Sequence, residues 1–463
     1  MANLTPNSSF SLSLRLKIPN RAGMLARVTQ AIAEAGGNLG DFSLVSRSRN
    51  DLIRILHVDA SSEAHVADII EAVESVDEIE ILEISDRTFA IHEGGKISVE
   101  SKLELTGAED LAMAYTPGVG RVCMEIAQNP DRVFDLTIKG NTVAIVTDGS
   151  AVLGLGNLGP GGALPVMEGK ALLFKKFAGL DAFPICLDTQ DTDEIVATVK
   201  HLSPVFGGIN LEDISAPRCF AIEERLRQEL DIPVFHDDQH GTAIVTLAAL
   251  INALKLVNKT LPTIKTVING AGAAGVAIAR LLLKAGATQI VMCDSKGILS
   301  HDRDDLNLQK QEFAVDASGS LADAMVGADV FLGVSVPGVV SVDMVESMAE
   351  NPIVFAMSNP IPEIQPELVL DKVAVMATGR SDYPNQINNV LAFPGVLRGA
   401  LDCRAQSITT SMYLEAAYAI ADLVSPQELN AECIIPSVFD ERVSTAVASA
   451  VKHAARVDGV ARK

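Results

Sequence analysis

Residues 263–297, "TIKTVINGAGAAGVAIARLLLKAGATQIVMCDSKG", run from a strand-like segment into a glycine-rich turn, a helical segment and a second strand. Gly270, Gly272 and Gly275 fit G-x-G-x-x-G directly behind "KTVIN", with Ala273 and Ala274 between the last two, and Asp294 stands nineteen positions past Gly275. In such a βαβ unit the first glycine permits a tight turn, the second lets backbone approach a pyrophosphate, and the third lets helix pack on strand. The helix N-terminus aims N–H donors at the anion. The spacing therefore predicts a Rossmann-type dinucleotide site. Asp294 would accept from the adenosine ribose hydroxyls and repel a 2′-phosphate, favouring NAD, while Lys296 leaves NADP open.

Upstream, strand-like runs such as "TVAIVT" and "DAFPICLD" alternate with helical ones, the pattern of parallel strands covered by helices on both faces. From Phe10 the order reads βαββαβ within about 80 residues, the ferredoxin-like arrangement, followed by the polar segment "SDRTFAIHEGGKISVESK" as a linker. The expected architecture is α/β throughout: a ferredoxin-like (βαββαβ) domain over 10–88, an α/β catalytic domain over 95–240, and a Rossmann-type dinucleotide-binding domain over 241–463. Its C-terminal helices are expected to pack on the core. A length of 463 residues suits several domains.

A net charge of −22, with no basic run, argues against nucleic-acid or anionic-membrane partners. No stretch reaches the 18 or so uninterrupted apolar residues of a membrane span, and "MANLTPNSSFSLSLRLK" lacks the charged and apolar regions of a secretory signal. A cytoplasmic protein is expected. The six cysteines show no C-x-x-C spacing and read as buried thiols.

Two acidic pairs end apolar runs: Glu212 and Asp213 in "INLEDI", and Asp237 and Asp238 in "VFHDDQHGTA". Carboxylates gathered in a cleft repel unless a cation neutralises them, and an all-oxygen set suits Mg²⁺ or Mn²⁺. Taken alone, each pair equally reads as helix-dipole acids or a cap, with Ser215 as N-cap of the helix that follows Glu212 and Asp213 and Pro217 in its first turn.

With "YTPGVG", "VTDGSAVLGLGNLG", "EGKALLFK", "LEDI", "DDQHGTA", "NGAGAAG", "DSKG", "SNP" and "NNVLAFPG" in this order, residues 95 to about 400 resemble the malic enzymes. The first 90 residues, with "PNRAGMLARVTQAIAEAGGNL", resemble an ACT domain, a small regulatory module. The resemblance implies that Tyr115 is the catalytic acid, Lys170 the base and Asp237 an acid beside that lysine. It further implies that Glu212, Asp213 and Asp238 hold the divalent metal, and that Asn359 and Asn389 contact substrate or cofactor near the nicotinamide. Larger members carry a substrate-binding arginine where this chain has Ala151, so another cation, or the metal with Lys170, takes its place.

The implied reaction is oxidative decarboxylation of (S)-malate to pyruvate and CO₂. A lysine base with its ordinary value near 10.4 is protonated, so burial and a nearby dication would have to depress it. Two other readings are a non-decarboxylating dehydrogenase of similar architecture, which needs no metal oxygens, and a ligand sensor with an inactive scaffold. At the N-terminal domain a small metabolite effector is expected around Asn20, Gly23 and Asn38, where loop N–H groups lie beside a helix start. Exposed sheet edges and the resemblance together suggest a homo-oligomer, a dimer or larger.

Overall fold

The structure, a computed structural model, describes residues 5–152 and 154–463, in two compact units, residues 1–98 and 99–463. In the first, β1 (Asn7–Pro19), α1 (Met24–Glu34), β2 (Asn38–Arg47), β3 (Asp51–Ala60), α2 (Glu63–Glu74) and β4 (Glu80–Asp86) realise the βαββαβ order. The sheet is antiparallel, in order β2-β3-β1-β4. Alternation along β1 buries Leu12, Leu14, Leu16 and Ile18 against Val28 and Ile32 of α1 and Ile69 and Val73 of α2. The segment read as a linker begins instead with a short helix, Arg87–Ala90. Asp86 caps it, and Arg87 donates to Ser11 of β1 at 3.0 Å.

The second unit opens with two short helices, α3 (Ala108–Ala114) and α4 (Val119–Gln128), neither of which buries a residue. A parallel four-stranded sheet then forms from β5 (Thr142–Thr147), β6 (Asp181–Cys186), β7 (Gly208–Leu211) and β8 (Val234–His236), in order β6-β5-β7-β8. Helices α5 (Gly159–Ala178), α6 (Thr192–Leu202) and α7 (Arg218–Glu229) connect these strands. Every residue of β5 and β7 is buried, as expected for parallel strands covered on both faces.

From β8 the chain enters a wide turn, Asp237–Gly241, with π-type bonding, and runs into α8 (Thr242–Val257). Asp237–Val257 has the length and hydropathy of a membrane span, although polar residues interrupt its apolar run. Within the protein, however, 67% of its apolar window is buried, and α8 is the central core helix. Beyond it, β9 (Lys265–Asn269), α9 (Ala273–Lys284), β10 (Gln289–Asp294), β11 (Gly297–Ile298), β12 (Val330–Gly333), β13 (Ile353–Ala356) and β14 (Val375–Thr378) build a six-stranded sheet. Its order is β11-β10-β9-β12-β13-β14, parallel except for β11. Helices α10 (Phe393–Asp402), α11 (Thr410–Ala421) and α12 (Arg442–Val457) close the unit, sharing one apolar core with α5, α8 and both sheets.

Ser215 does not cap α7. The helix starts at Arg218, and Pro217, which would be the second helical residue behind a Ser215 cap, has no N–H to give it. The Ser215 hydroxyl accepts from Arg218 instead, at 3.0 Å.

Candidate active site

Lys170 projects from the middle of α5, one position before buried Ala171, so its stem is packed and its amine is carried inward. The side chain is 11% exposed. Its Nζ lies 2.5 Å from Asp237 Oδ2 and 3.0 Å from Glu212 Oε1, and 4.2 Å above the centre of the Phe393 ring. Burial disfavours the ammonium, but Asp237 and Glu212 outweigh it and hold the amine above its ordinary value. With two carboxylates flanking the amine, the depression expected from sequence falls to a dication bound beside it.

Asp237 is wholly buried. Its Oδ2 also receives Asn389 Nδ2 at 3.3 Å, and Asn389 Oδ1 in turn accepts from Thr242 at 3.2 Å. Asp237 Oδ1 has no hydrogen-bond partner. A Cβ at Gly241 would stand 1.8 Å from that oxygen, so the turn closes over the carboxylate only because residue 241 is glycine.

Glu212 and Asp213 follow β7, and Asp238 follows Asp237 at the end of β8. Adjacent parallel strands thus deliver both acidic pairs to one sheet edge, at the carboxyl ends of the strands. Carboxylate oxygens of Glu212, Asp213 and Asp238 lie within 4.8 Å of one another. Asp238 Oδ2 accepts the Asp213 N–H at 2.8 Å, and Asn210 Nδ2 donates to Glu212 Oε2 at 2.9 Å. Asp213 adopts a left-handed φ of 54°, a strained setting for a residue with a Cβ. Burial, then Asp238, Asp237 and Asp213, push the Glu212 carboxyl well above the ordinary range in spite of Lys170. Such an excess of buried negative charge, offered by oxygen donors alone, fits a hard divalent cation.

The glycine turn has the geometry its spacing predicts. Gly270 has φ +118°, and a Cβ there would meet Val334 O at 2.4 Å; one on Gly275 would meet Gly270 O at 1.8 Å. Gly272 faces open space, which leaves room for a ligand against the backbone. Ala273 and Ala274 begin α9. Asp294 ends β10, but its carboxylate is already gripped by Arg303 (2.8 and 2.9 Å) and Lys310 (2.7 Å). Lys296 pairs with Asp305 at 2.7 Å.

Asn359 lies just past β13 and is exposed, against Gly379. Among the described residues, no hydrogen bond or ring contact joins Tyr115 to Lys170. Tyr115 is 65% exposed at the end of α3, and its hydroxyl makes no hydrogen bond among the described residues. In the N-terminal unit, Gly23 precedes α1 with φ +88°, and Asn20 donates to Ser48 O at 2.9 Å, near the β2–β3 turn. Asn38 pairs with Asp59 at the other end of the sheet, because α1 carries the chain back along it; the three residues do not form one site. At Ala151 the backbone N–H donates to Asp213 O at 3.0 Å. Arg218, which donates to Ser150 beside Ala151 at 3.0 Å, is also paired with buried Asp148 at 2.8 Å.

Sequence reasoning passed over Asn210, Phe393, Arg303, Lys310 and Glu363. Glu363 is wholly buried and accepts the N–H of Ser335 (2.8 Å) and of Ser358 (3.0 Å), tying together the loops after β12 and β13. Asn210, two residues before Glu212 on a strand, had a usable signal, since period two puts both on one face. The others come from distant segments with no fixed spacing.

A dinucleotide-type cradle on one parallel sheet, joined through α8 to a lysine set among carboxylates on another, defines an α/β nicotinamide-linked oxidoreductase. Family models agree on which: residues 94–227 match the malic enzyme N-terminal domain, 239–456 the malic enzyme NAD binding domain and 6–82 the ACT domain. The chain belongs to the malic enzyme family. It is 54% identical, over 99% of its length and 97% of the relative's, to an NAD-dependent malic enzyme of Geobacillus stearothermophilus. It is 59% identical to a bifunctional malic/malolactic enzyme of Bacillus subtilis, over 80% of this chain and 92% of that one. A crystal structure of an NAD-dependent malic enzyme from Thermotoga maritima superposes with a TM-score of 0.76 at 48% identity, covering 79% of this chain and 98% of that one.

Proposed function

We propose that this chain converts (S)-malate to pyruvate and CO₂ with reduction of NAD, using Mg²⁺ or Mn²⁺ held by Glu212, Asp213 and Asp238. The observation that carries the reading is the meeting of Lys170 with those carboxylates and Asp237 at one sheet edge. A divalent cation held there would supply Lewis acidity to substrate oxygens. NAD supplies the hydride acceptor.

Lys170 is the group that takes the malate hydroxyl proton. Glu212 is both its partner and a metal donor, so committing Glu212 to a cation removes one of the charges that hold the ammonium. Asp237, pinned by Asn389, keeps the amine in place and can share its proton. Tyr115 is assigned the return of a proton to C3 of the enol, and Asn359 the contact near the nicotinamide. We assign catalysis to residues 95–240, NAD binding to 241–463, and response to a small metabolite to the ACT-like residues 10–88. We further propose a cytoplasmic homo-oligomer.

The test is absorbance at 340 nm with malate, Mn²⁺ and either NAD or NADP, with and without EDTA, for the wild type and Lys170→Ala. The reading requires NAD reduction that EDTA stops and the variant lacks; activity in either case refutes it. Because one relative is named malic/malolactic, lactate is assayed beside pyruvate.

A further inference from the structure

Against the wide turn the second unit holds a cavity of about 450 Å³, walled by α7, the turn itself, the start of α8, α9 and α11. That is the size of ordinary small-molecule sites. In a chain of net charge −22 its lining is cationic. Arg227, Arg280 and Lys284 face a single carboxylate, Glu312, which pairs with Arg280 at 2.6 Å. Lys284 has no ion-pair partner among the described residues, and Arg227 donates to Ile408 O at 2.7 Å while lying 3.7 Å from Glu223. The remaining wall mixes apolar residues with Gln239, Thr410, His240 and Tyr413. Tyr413, 5% exposed, stacks on His240 with centroids 4.5 Å apart and planes 16° from parallel. The Tyr413 hydroxyl is buried without a hydrogen-bond partner.

His240 and Gln239, which line the cavity, belong to the same five-residue turn as Asp237 and Asp238. Both are fastened to buried Glu223, His240 at 2.6 Å and Gln239 at 3.0 Å. The turn therefore contributes both to the cavity wall and to the groups around Lys170. Anything that shifts His240 or Arg227 reaches Glu223, and through it the turn.

We infer that this cavity is a second ligand site, for a small carboxylate- or phosphate-bearing metabolite, whose occupancy sets the position of the Asp237–Gly241 turn. The binding part stands on the cavity; the effect on rate rests on the catalytic reading of the turn. The two parts are tested separately on the full-length protein, with succinate and inorganic phosphate as probes for the two anion chemistries.

Thermal unfolding reads binding. At least one probe should raise the midpoint of the wild type by several degrees in the millimolar range, as ligands of the native state do. The rise should vanish in Arg280→Gln/Lys284→Gln and persist in Arg280→Lys/Lys284→Arg, which keeps the charges. A rise equal in wild type and Gln variant places the probe elsewhere, at the malate site or the N-terminal unit, and overturns the site; so does no rise with either probe. Initial rates at sub-saturating malate read coupling: the bound probe should change kcat/KM by about fivefold or more in the wild type and in the charge-conserving variant. Binding without that change would remove the coupling and leave both the site and the malate reaction standing.

Discussion

Asp237 shows how closely one residue's chemistry depends on its neighbour's lack of a side chain. Its carboxylate bonds Lys170 and Asn389 through Oδ2, and its other oxygen occupies the space where a Gly241 Cβ would be. Gly241→Ala should push the carboxylate off the lysine, costing about 1–3 kcal/mol of stability as overpacking does. The catalytic loss should exceed the stability loss, with kcat down by about a hundredfold, within the range attributed to positioned acid–base groups. Urea unfolding and steady-state rates check it; a stable variant with wild-type kcat would show that the contact is not needed. Asp294 yields a prediction in pH. Burial alone would raise its carboxyl, but hydrogen bonds from Arg303 and Lys310 bring it from 3.8 down to about 2. A depressed folded value stabilises above the unfolded value, and that contribution shrinks as pH falls from 3.8 toward 2. The stability difference between wild type and Arg303→Gln should therefore be full at pH 6 and smaller at pH 3. Chemical denaturation at both values measures it, and a gap that widens toward acid would contradict the assignment.

Among the elements, those with a local rule were legible and those made by distant segments were not. Gly270 and Gly275 announced their turn because backbone sterics demand glycine there whatever else the chain does. The first unit's strands announced themselves through two-residue alternation, and the parallel strands through unbroken apolar runs. The two acidic pairs could be located at strand ends, but only the side-by-side pairing of β7 with β8 puts them together. Nothing local marks the π-type turn at Asp237–Gly241, nor the way α1 separates Asn38 from Asn20 and Gly23. Glu363 was equally silent, since its partners are the N–H groups of Ser335 and Ser358 on separate loops. These loops lie at the carboxyl ends of β12 and β13, beside the glycine turn after β9. Glu363→Ala should leave the two N–H groups unpaired, at about 1–3 kcal/mol each. It should also raise KM for NAD several-fold while changing KM for malate little. Equal changes in the two would place the residue's influence at the Lys170 end instead.

At the scale of the whole molecule, the unfinished surface is the stretch that carries Tyr115. Leu103, Leu105, Leu111, Met113 and Met124 are each at least half exposed, and α3 and α4 bury nothing. A single exposed leucine needs no explanation, but contiguous apolar side chains on an amphipathic helical segment mark a contact surface. The edge strands β2 and β4 of the first unit likewise expose Phe42, Leu44, Leu82 and Ile84. In the proposed homo-oligomer, copies of the chain would cover both surfaces. Light scattering coupled to size exclusion should then give a mass of at least two 48.9 kDa chains. Leu111→Asp/Met113→Asp should shift that mass toward one chain, since two charges buried at such an interface are costly. If burying this segment is what takes Tyr115 out of solvent and into the reaction, the dissociated variant should also lose malate turnover by at least about a hundredfold. It should keep the wild-type thermal response to NAD, whose glycine turn lies between β9 and α9, away from the substituted helix. A monomeric variant that turns over malate at the wild-type rate would detach Tyr115 from the interface, and a wild type that is monomeric at micromolar concentration would leave these apolar surfaces without the partner proposed for them.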